Sequence, residues 1–311
     1  MAVGRVVVFS GGVGGAKLAD GLAQVLPGEN LTVIVNTGDD FDHLGLRICP
    51  DLDTVVYTLA GIADPENGWG RAGEQWTVLE ALRELGGPDW FNLGDRDLAL
   101  HLLRTDMLGK EISLTEVTSR LCKRLGVVCS VLPMTDDPVA TRVLTENGDL
   151  AFQEYFVERH CEPVVRSFRF SGIENARPTP GVMDAIEKAD VILFGPSNPW
   201  VSLDPILAVQ GIREALGKKK VVAVSPLVGG KALKGPAAKM YRELGIEPGA
   251  GAVAAHFKDL LSGFVFDTID MEQIEEIKAL NVQTLVTDTI MKDRTSRKRL
   301  AKEILGFSGS L

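Results

Sequence analysis

The sequence contains little cysteine and little histidine. Four of its 311 residues are cysteine and four are histidine, and the cysteines form no Cys-x-x-Cys pair. Zinc-binding and disulfide-rich proteins need clustered ligands or paired cysteines, so neither class is indicated. The sequence also has no His-x-x-x-His pair and no Gly-x-Ser-x-Gly motif, which gives little support to a histidine-based zinc site or a hydrolase triad. We expect reduced cysteines and structural histidines.

Long apolar runs and an excess of positive charge are also absent. No stretch approaches the ~20 apolar residues of a membrane-spanning helix, and the apolar run near the N-terminus is too short for the core of a signal peptide. The 33 Lys and Arg residues against 42 Asp and Glu residues give a net charge of −9, which argues against general binding to a phosphate backbone. We therefore expect a cytoplasmic protein with no membrane or nucleic-acid partner.

The sequence does contain a repeated alternation of short apolar runs and helical segments. Five runs rich in β-branched residues predict buried parallel strands: Val6–Phe9, Val33–Val35, Val191–Phe194, Val221–Val224 and Thr284–Val286. Helical periodicity is found between or after them, at Ala16–Val25, Pro205–Leu216, Leu233–Leu244 and Met271–Leu280. This alternation predicts an α/β fold with a Rossmann-like, doubly wound and mostly parallel sheet.

Two segments depart from the alternation. Residues 54–125 have helical patterning without a convincing strand, which predicts an inserted helical cap. Residues 141–157 alternate apolar and polar side chains around Asn147-Gly148, a pair typical of the type I′ turn of a β-hairpin, and we expect a small antiparallel flap there. Because no flexible linker divides the chain, we treat residues 1–311 as one composite α/β domain.

A glycine-rich loop follows the first predicted strand, and a helix follows the loop at once. Six residues around this loop are candidates for binding phosphate: Ser10, Gly11, Gly12, Gly14, Gly15 and Lys17. Glycine permits tight turns and lets the backbone N–H groups of a helix N-terminus approach an anion. The spacing matches neither Gly-x-Gly-x-x-Gly nor a Walker A motif, so the loop indicates phosphate without identifying the ligand. The glycines could instead serve only the turn.

Carboxylates collect after the second predicted strand. Asn36-Thr-Gly-Asp-Asp40 follows that strand, and Pro50-Asp-Leu-Asp-Thr54 opens a helix a few residues later. Clustered carboxylates repel one another unless a cation or ligand compensates their charge, and oxygen ligands suit Mg²⁺. We expect Asp39, Asp40 and Asp53 to be catalytic, with Mg²⁺ held by Asp39 and Asp53. The alternative is that these aspartates only cap the helix or form turns.

Loops after two later strands carry further polar residues. Ser197 and Asn198 follow the third predicted strand, and Ser225 and Lys231 follow the fourth. Ligands of open α/β sheets bind beyond the carboxyl ends of the strands, so we expect these four residues to help bind a nucleotide or its phosphates. In the predicted cap, Arg96 could reach an anion. Simple turn formation would also account for the residues of these loops.

Seven motifs, taken in order, resemble the 2-phospho-L-lactate transferase family of coenzyme F-420 biosynthesis. They are Ser10–Leu18, Asn36–Asp40, Pro50–Val55, Leu93–Asp97, Leu132–Asp137, Gly195–Pro199 and Ser225–Gly230. Each motif alone is weak, but seven in order are highly specific. The resemblance extends from Gly4 to about Arg299.

The resemblance implies an enzyme that takes a guanosine diphosphate-linked three-carbon acid and the deazaflavin Fo. The terminal ribityl hydroxyl of Fo would attack the distal phosphorus of the donor, GMP would leave, and (dehydro) coenzyme F-420-0 would form. The family uses Mg²⁺ and is typically dimeric, so a homodimer is also implied. Its Fo contacts correspond to Asp53 and to Asn92, where relatives often carry a basic residue. We add Arg96 of the same motif to the predicted Fo-binding residues.

Phosphoryl transfer depends on positioning and charge neutralisation, which agrees with the missing nucleophilic triad. Mg²⁺ on Asp39 or Asp53 would neutralise charge on the diphosphate oxygens, and Asp40 could accept the hydroxyl proton. Two alternatives are a UDP-sugar-binding regulatory protein of a related branch and an NAD-dependent oxidoreductase. The first branch lacks the paired aspartate motifs, and the glycine spacing argues against the second. The motifs do not distinguish phospholactate, phosphoenolpyruvate and phosphoglycerate donors.

Overall fold

The computed structural model describes residues 4–311. Its strands are β1 (Val6–Ser10), β2 (Leu31–Val35), β3 (Phe41–His43), β4 (Leu46–Ile48), β5 (Ser130–Pro133), β6 (Ala140–Thr145), β7 (Gly148–Ala151), β8 (Val165–Ser171), β9 (Val191–Phe194), β10 (Val221–Val224), β11 (Leu227–Val228), β12 (Lys231–Ala232), β13 (Gly263–Asp267) and β14 (Gln283–Thr287). Its α-helices are α1 (Val13–Ala23), α2 (Pro50–Leu59), α3 (Thr77–Glu84), α4 (Asp95–Gly109), α5 (Leu114–Arg124), α6 (Val182–Lys188), α7 (Asp204–Ala208), α8 (Ile212–Leu216), α9 (Ala237–Glu243), α10 (Ala250–His256), α11 (Ile274–Lys278) and α12 (Arg294–Ser310).

Seven strands form one parallel sheet in the order β14-β13-β10-β9-β1-β2-β5. The first residue of β1, Val6, pairs with Leu31 of β2 on one side and with Val191 of β9 on the other. The chain therefore builds outward from β1 to β5 and then returns to the opposite side of β1. The strand order reverses between β1 and β9, which is where ligands bind in sheets of this kind.

The sheet confirms the predicted fold class and contains all five predicted strands. Two further strands, β5 and β13, were not predicted because each contains a residue that weakens the strand signal. Strand β5 ends in Pro133, and β13 begins with Gly263. Proline cannot donate a hydrogen bond to a neighbouring strand and is tolerated mainly at sheet edges, and β5 is an edge strand of this sheet.

Alternate residues of β1 supply two cores, one on each face of the sheet. Val6 and Val8 pack with side chains of α1, α2 and α12. Val7 and Phe9 pack with side chains of α6, α8, α9 and α10. Successive side chains of a strand point to opposite faces, and burying each such apolar side chain contributes about 1.5–3 kcal/mol. Helices therefore cover both faces, as the continuous apolar runs predict.

Close packing at the reversal point depends on glycine. A Cβ atom placed on Gly14 would lie 2.0 Å from the carbonyl oxygen of Pro196, and one on Gly195 would lie 2.9 Å from the Cα of Gly15. The loops that follow β1 and β9 can therefore approach each other only because these positions lack side chains. The backbone N–H of Gly11 also donates to Ser197 Oγ across the two loops, at 3.1 Å.

One predicted helix is interrupted. The helix expected over Pro205–Leu216 is two short helices, α7 and α8, with Gly211 between them at φ +83°. Only glycine adopts this conformation without strain. The prediction of a single helix was wrong because the apolar periodicity continues through the interruption. Similarly, the helix expected from Leu233 begins at Ala237, directly after Pro236.

Residues 54–125 contain most of α2 and all of α3, α4 and α5, which agrees with the helical pattern of this segment. Five buried side chains from three of these helices form a separate cluster: Tyr57, Leu100, Met107, Val117 and Leu121. This cluster packs α4 and α5 against α2, whose other side chains belong to the core of the sheet. Helix α2 therefore joins this helical segment to the sheet.

The predicted flap is correct in its hairpin and wrong in its extent. Strands β6 and β7 pair antiparallel, with Thr145 opposite Gly148, so the turn residues are Glu146 and Asn147 rather than Asn147 and Gly148. Residues after Ala151 are helical instead of continuing the flap to 157. Strand β8, which the sequence pattern did not predict, pairs with the other edge of β6 and completes a three-stranded antiparallel sheet.

All four cysteines are free, as predicted, and three of them are buried. Burial raises the pKa of the Cys122 thiol to about 12, which keeps this thiol protonated and unreactive at neutral pH. Among the helices formed by residues 4–311, none combines the length and the apolar composition that a membrane crossing requires.

The close contact between Gly14 and Pro196 predicts that adding one methyl group at Gly14 destabilises the fold. We expect Gly14→Ala to lower the free energy of unfolding by about 1–3 kcal/mol, because the new methyl meets a backbone oxygen. The matched control is Gly306→Ala in α12, where, among residues 4–311, no atom outside the adjoining residues and the nearby backbone of the same helix lies within 4 Å of the added Cβ. This change should raise stability by about 0.5–1 kcal/mol. Urea denaturation measures both, and unchanged stability of Gly14→Ala would contradict the close packing.

Candidate active site

A cavity of about 720 Å³ lies beyond the carboxyl ends of the parallel strands. Loops that follow four strands line it, represented by Gly12 after β1, Asp39 after β2, Ser197 after β9 and Ser225 after β10. The sequence predicted this convergence from the position of polar residues at strand ends. The cavity therefore occupies the place where the strand order reverses.

A fifth loop, which the sequence analysis missed, closes another side of the cavity. Residues Thr289–Lys292 follow β14 and line the cavity. Buried Asp267 at the end of β13 holds this loop, because its Oδ2 accepts hydrogen bonds from Thr289 N at 2.8 Å and from Thr289 Oγ1 at 3.1 Å. The unpredicted strand β13 therefore positions part of the site.

The cavity contains most of the predicted site residues. Nine of them line it: Gly12, Gly14, Lys17, Asp39, Asp53, Asn92, Ser197, Asn198 and Ser225. Within residues 4–311, six predicted residues do not line it: Ser10, Gly11, Gly15, Asp40, Arg96 and Lys231. Ser10, Gly11 and Gly15 are buried, whereas Arg96 and Lys231 are exposed.

The glycine loop presents the N-terminus of α1 to the cavity. Helix α1 begins at Val13, and its N-cap residue, Gly12, supplies no side-chain cap. The first N–H groups of a helix lack partners within the helix, and here they adjoin the cavity through Gly12, Val13 and Gly14. The Asp51 carboxylate lies beside this N-terminus, since its Oδ1 would be 2.6 Å from a Cβ placed on Gly12. The arrangement therefore suits an anionic group of a ligand when a cation compensates Asp51.

The predicted polar residues of the later loops also have structural partners. Ser225 Oγ donates to Leu227 O at 2.8 Å and accepts from Leu227 N at 3.2 Å. Asn198 Oδ1 accepts from Trp200 N at 3.0 Å. Turn formation therefore occupies part of the hydrogen-bonding capacity of these side chains, as the alternative interpretation held, although both residues line the cavity. Their nucleotide contacts stay a prediction.

Asp39 and Asp51 form an acidic pair that one asparagine holds. Asn36 Nδ2 lies 3.3 Å from Asp39 Oδ1 and 3.0 Å from Asp51 Oδ2, and both aspartates line the cavity. Burial, together with the charges of Asp51 and Asp40, raises the pKa of Asp39 well above its ordinary value. Burial raises the pKa of Asp51 to about 7. Such carboxylates favour a compensating positive charge.

Asp40 lies behind this pair. Among the described residues, no hydrogen-bond partner reaches either of its buried carboxylate oxygens, and Arg47 Nη2 is 3.7 Å from its Oδ2. Burial raises the pKa of Asp40 to about 7 against the opposing effect of Arg47. Because the side chain does not line the cavity, it is badly placed to accept a proton from a bound ligand, contrary to the role expected for it.

Asp53 is bound to an arginine that the sequence analysis did not single out. Arg104 is buried in α4, and its Nη1 and Nη2 donate to the two carboxylate oxygens of Asp53, the first at 3.1 Å. Arg104 Nη1 also lies 3.2 Å from His101 Nδ1. The guanidinium therefore already neutralises Asp53, and the helix-capping alternative is not observed, because the N-cap of α2 is Cys49.

Helical spacing places a second carboxylate beside this ion pair. Asp97, His101 and Arg104 are separated by four and three residues in α4, so they share one face of the helix. His101 Nε2 is 3.4 Å from Asp97 Oδ1, and Tyr57 OH donates to the same oxygen at 2.5 Å. The spacing of Asp97, His101 and Arg104 along α4 could have revealed this face. His101 was expected to be structural, and Asp97 was not among the predicted site residues.

The cavity also has an aromatic wall. Trp90 and Phe91 line the cavity and pack against Phe41 and His43, with the Phe41 and Phe91 rings 4.9 Å apart and the His43 and Trp90 rings 5.2 Å apart. Exposed Asn92 follows these residues. A flat ring system could stack on such a surface.

Three lysines also line the cavity. They are Lys17, Lys234 and Lys292. Burial, with the nearby charges of Arg297 and Lys234, lowers the pKa of Lys17. The Nζ of Lys234 donates to the carbonyl oxygens of Glu66 and Asn67, so this lysine also joins the helical segment to the loop before α9.

Arg96 and Lys231 contact parts of the protein outside the cavity. The Nη1 of Arg96 donates to Ala72 O at 3.3 Å, which directs the guanidinium toward the loop before α3. Lys231 belongs to the short β11-β12 hairpin, where it pairs with Val228. These two residues, which were predicted to contact a ligand, therefore do not line the cavity.

Comparisons with known proteins agree with this architecture. The family model described as "2-phospho-L-lactate transferase CofD" matches residues 6–304. A protein of Streptomyces griseus named phosphoenolpyruvate transferase is 45% identical over 309 residues, covering 97% of each chain. A protein of Methanosarcina mazei named 2-phospho-L-lactate transferase is 40% identical over 300 residues, covering 96% of this chain and 99% of the other.

The fold also matches a solved structure. A UPF0052 family member from Bacillus halodurans superimposes with a TM-score of 0.64 and 19% identity, covering 98% of this chain and 99% of the other. At that identity the likeness concerns the fold alone. The full-length family match and the curated relatives are decisive for identity: the chain is an enzyme that belongs to the 2-phospho-L-lactate transferase CofD family.

Proposed function

We propose that the enzyme transfers a phosphoenolpyruvyl or phospholactyl group from a guanosine diphosphate-linked donor to the terminal ribityl hydroxyl of the deazaflavin Fo. GMP is the leaving group, and (dehydro) coenzyme F-420-0 is the product. Membership of the family already indicates a transferase of the phospholactate or phosphoenolpyruvate type. The donor nucleotide, the acceptor and the leaving group are the additional content of the proposal.

The observation that carries this proposal is the juxtaposition of three surfaces in one cavity. The N-terminus of α1 and Lys17 suit the phosphates of a donor. The acidic pair Asp39 and Asp51 suits a cation beside those phosphates. The aromatic wall at Trp90 and Phe91 suits the flat ring of a deazaflavin. The acidic pair disfavours the UDP-sugar-binding and oxidoreductase alternatives, because neither needs a cation beside the phosphates.

Mg²⁺ fits the acidic pair better than it fits Asp53. Asp39 and Asp51 both line the cavity, share the Asn36 amide and have pKa values raised by burial, so a divalent cation would relieve a cost that their ionisation now carries. Both oxygens of Asp53 instead accept hydrogen bonds from Arg104. We therefore assign the metal to Asp39 with Asp51, and not to Asp39 with Asp53 as the sequence suggested.

Each side chain then has a separate task. When bound, Mg²⁺ supplies positive charge to the diphosphate oxygens of the donor. The N–H groups at the start of α1 bind the phosphate that leaves with GMP, and Lys17 adds charge to the same region. Asn36 orients the two aspartates. Because phosphoryl transfer depends mainly on position and charge, this arrangement needs no covalent nucleophile.

The relatives favour an enolpyruvyl donor over a phospholactyl donor. The Streptomyces griseus relative named phosphoenolpyruvate transferase is 45% identical, and the Methanosarcina mazei relative named 2-phospho-L-lactate transferase is 40% identical. The homodimer and the cytoplasmic location stay predictions from the sequence. Sedimentation of the purified protein would test the first of them.

A direct assay tests the reaction and the donor together. We expect the enzyme with Fo and Mg²⁺ to release GMP and form a deazaflavin product of the corresponding mass when supplied with the guanylylated enolpyruvyl acid. The phospholactyl and phosphoglyceryl donors, run in parallel, should give a lower kcat/KM. Product from the phospholactyl donor alone would contradict the donor assignment. Product from none of the three, with GDP still bound, would contradict the proposed reaction.

The metal assignment predicts a loss of turnover in Asp39→Asn. Removing one ligand charge should reduce kcat by roughly 10²-fold or more, in the range found when a group that stabilises transition-state charge is removed, and should weaken the dependence of rate on Mg²⁺ concentration. The matched control is Asp42→Asn, because the Asp42 side chain is 73% exposed three residues away. Full turnover and an unchanged Mg²⁺ dependence in Asp39→Asn would overturn the assignment, provided that thermal melting shows both variants folded.

A further inference from the structure

Asp97 is a cavity carboxylate with one occupied and one available oxygen. Its side chain is 14% exposed and lines the cavity. Tyr57 OH donates to Oδ1 at 2.5 Å, and His101 Nε2 faces the same oxygen at 3.4 Å. Among residues 4–311, no hydrogen bond reaches Oδ2. One oxygen is therefore used to hold the carboxylate in place, and the other is left for a ligand.

The buried arginine favours one position for the proton on the His101 ring. Arginine has no acceptor, so the contact of 3.2 Å between Arg104 Nη1 and His101 Nδ1 favours the tautomer in which Nδ1 accepts, although Nη1 shares its two hydrogens with Arg47 O and Asp53 Oδ2 as well. The proton of the neutral imidazole is then on Nε2, which points to Asp97 Oδ1. His101 therefore supports the ionised form of Asp97 and has no free nitrogen with which to act as a base itself.

The charged groups around Asp97 are arranged to keep it ionised. Burial opposes its ionisation, but the adjacent His101 ring, the hydrogen bond from Tyr57 and the charge of Arg104 together lower the pKa of Asp97. The carboxylate also lies in the first turn of α4, where the helix dipole favours negative charge. Two acids approach it: Asp53, which Arg104 neutralises, and Glu74, whose Oε1 accepts from Asp97 N at 2.9 Å.

One further charge acts through Tyr57. The Arg71 guanidinium lies 5.8 Å from the centre of the Tyr57 ring, on the side of the loop before α3. Asp97 is therefore faced by Tyr57 of α2 and His101 of α4, whereas Arg71 contacts the Tyr57 ring. Asp39 and Asp51 differ from it, since burial raises the pKa of both and the proposed metal would occupy them.

The position of Asp97 relates it to the acceptor and not to the donor phosphates. The aromatic wall at Trp90 and Phe91 is followed in the chain by Asn92 and then by Asp97 in the first turn of α4, and these four residues line one cavity. A flat acceptor on the wall would therefore lie in the same cavity as the Asp97 carboxylate. Asp40, the proton acceptor expected from the sequence, does not line the cavity.

We propose, resting on the proposed function, that Asp97 binds the attacking hydroxyl of the acceptor and accepts its proton on Oδ2. In this step the hydroxyl O–H bond breaks and its proton goes to Asp97. The oxygen forms a bond to the distal phosphorus of the donor, while the bond from that phosphorus to the bridging oxygen breaks and its electron pair leaves with GMP. Asp97 then returns the proton to water. Tyr57 and His101 are positioning residues for this carboxylate.

A low basicity is adequate for this role. In loose phosphoryl-transfer transition states the nucleophile carries little charge, and protein kinases likewise orient a substrate hydroxyl with an ionised aspartate. The carboxylate mainly fixes the direction of attack and takes the proton as the new bond forms. Its contribution should therefore appear in kcat, with little effect on donor affinity.

The test compares Asp97→Asn with Asp106→Asn, an exposed carboxylate on the same helix. We expect Asp97→Asn to lower kcat roughly 10²-fold or more, to keep the affinity for GDP, and to melt within a few degrees of the wild type. Asp106→Asn should keep the kcat of the wild type. A wild-type kcat in Asp97→Asn would overturn the proposal.

Tyr57→Phe supplies a second readout that does not depend on the folding of Asp97→Asn. Loss of the hydroxyl removes a donor to the carboxylate, so the pKa of Asp97 should rise and the acid limb of kcat/KM for the acceptor should move to higher pH. An acid limb that does not move would overturn the proposal. The two levels of inference fail differently, because absence of product from the wild type overturns the proposed function, whereas an active wild type with an equally active Asp97→Asn overturns only the role of Asp97.

Discussion

A buried ion pair between α2 and α4 organises the cavity. Asp53 belongs to the helix that packs on the sheet, and Arg104 belongs to the helical segment beside it. Removing one member of such a pair would leave an uncompensated buried charge, at a cost of about 3–5 kcal/mol. The same guanidinium lies 3.2 Å from His101 Nδ1, and His101 lies beside Asp97. One interaction therefore helps to attach the helical segment to the sheet and orders the polar side chains of the site.

The cavity separates charges by position. Carboxylates line it near β2 and α2, lysines line it near α1 and the loop after β14, and aromatic rings line it before α4. A reaction between an anionic donor and a hydroxyl on a flat acceptor needs these surfaces together, since the phosphates require cations and the attacking oxygen requires an acceptor for its proton. The fold supplies them from loops that are distant in sequence.

Several features of the site could be predicted because their signal is local. The strand at Val6–Ser10, the glycine loop after it and the carboxylates after β2 are each recognisable within about ten residues, because hydrophobic periodicity and turn chemistry act over that distance. Arg104 and the loop at Thr289–Lys292 could not be found in this way. Their importance arises from contacts with Asp53 and Asp267, which a periodic pattern does not encode.

By itself the sequence determined the parallel α/β sheet, the position of the phosphate-suited loop and the family resemblance, since each depends on short patterns of apolar, glycine and acidic residues. Only the tertiary structure decided the division of labour among the aspartates. Asp40 is turned away from the cavity, Asp53 is paired with Arg104, Asp51 joins Asp39, and Asp97 keeps a free oxygen. The physical reason is that burial and neighbouring charges determine the protonation and availability of a carboxylate, and both depend on residues far apart in the chain.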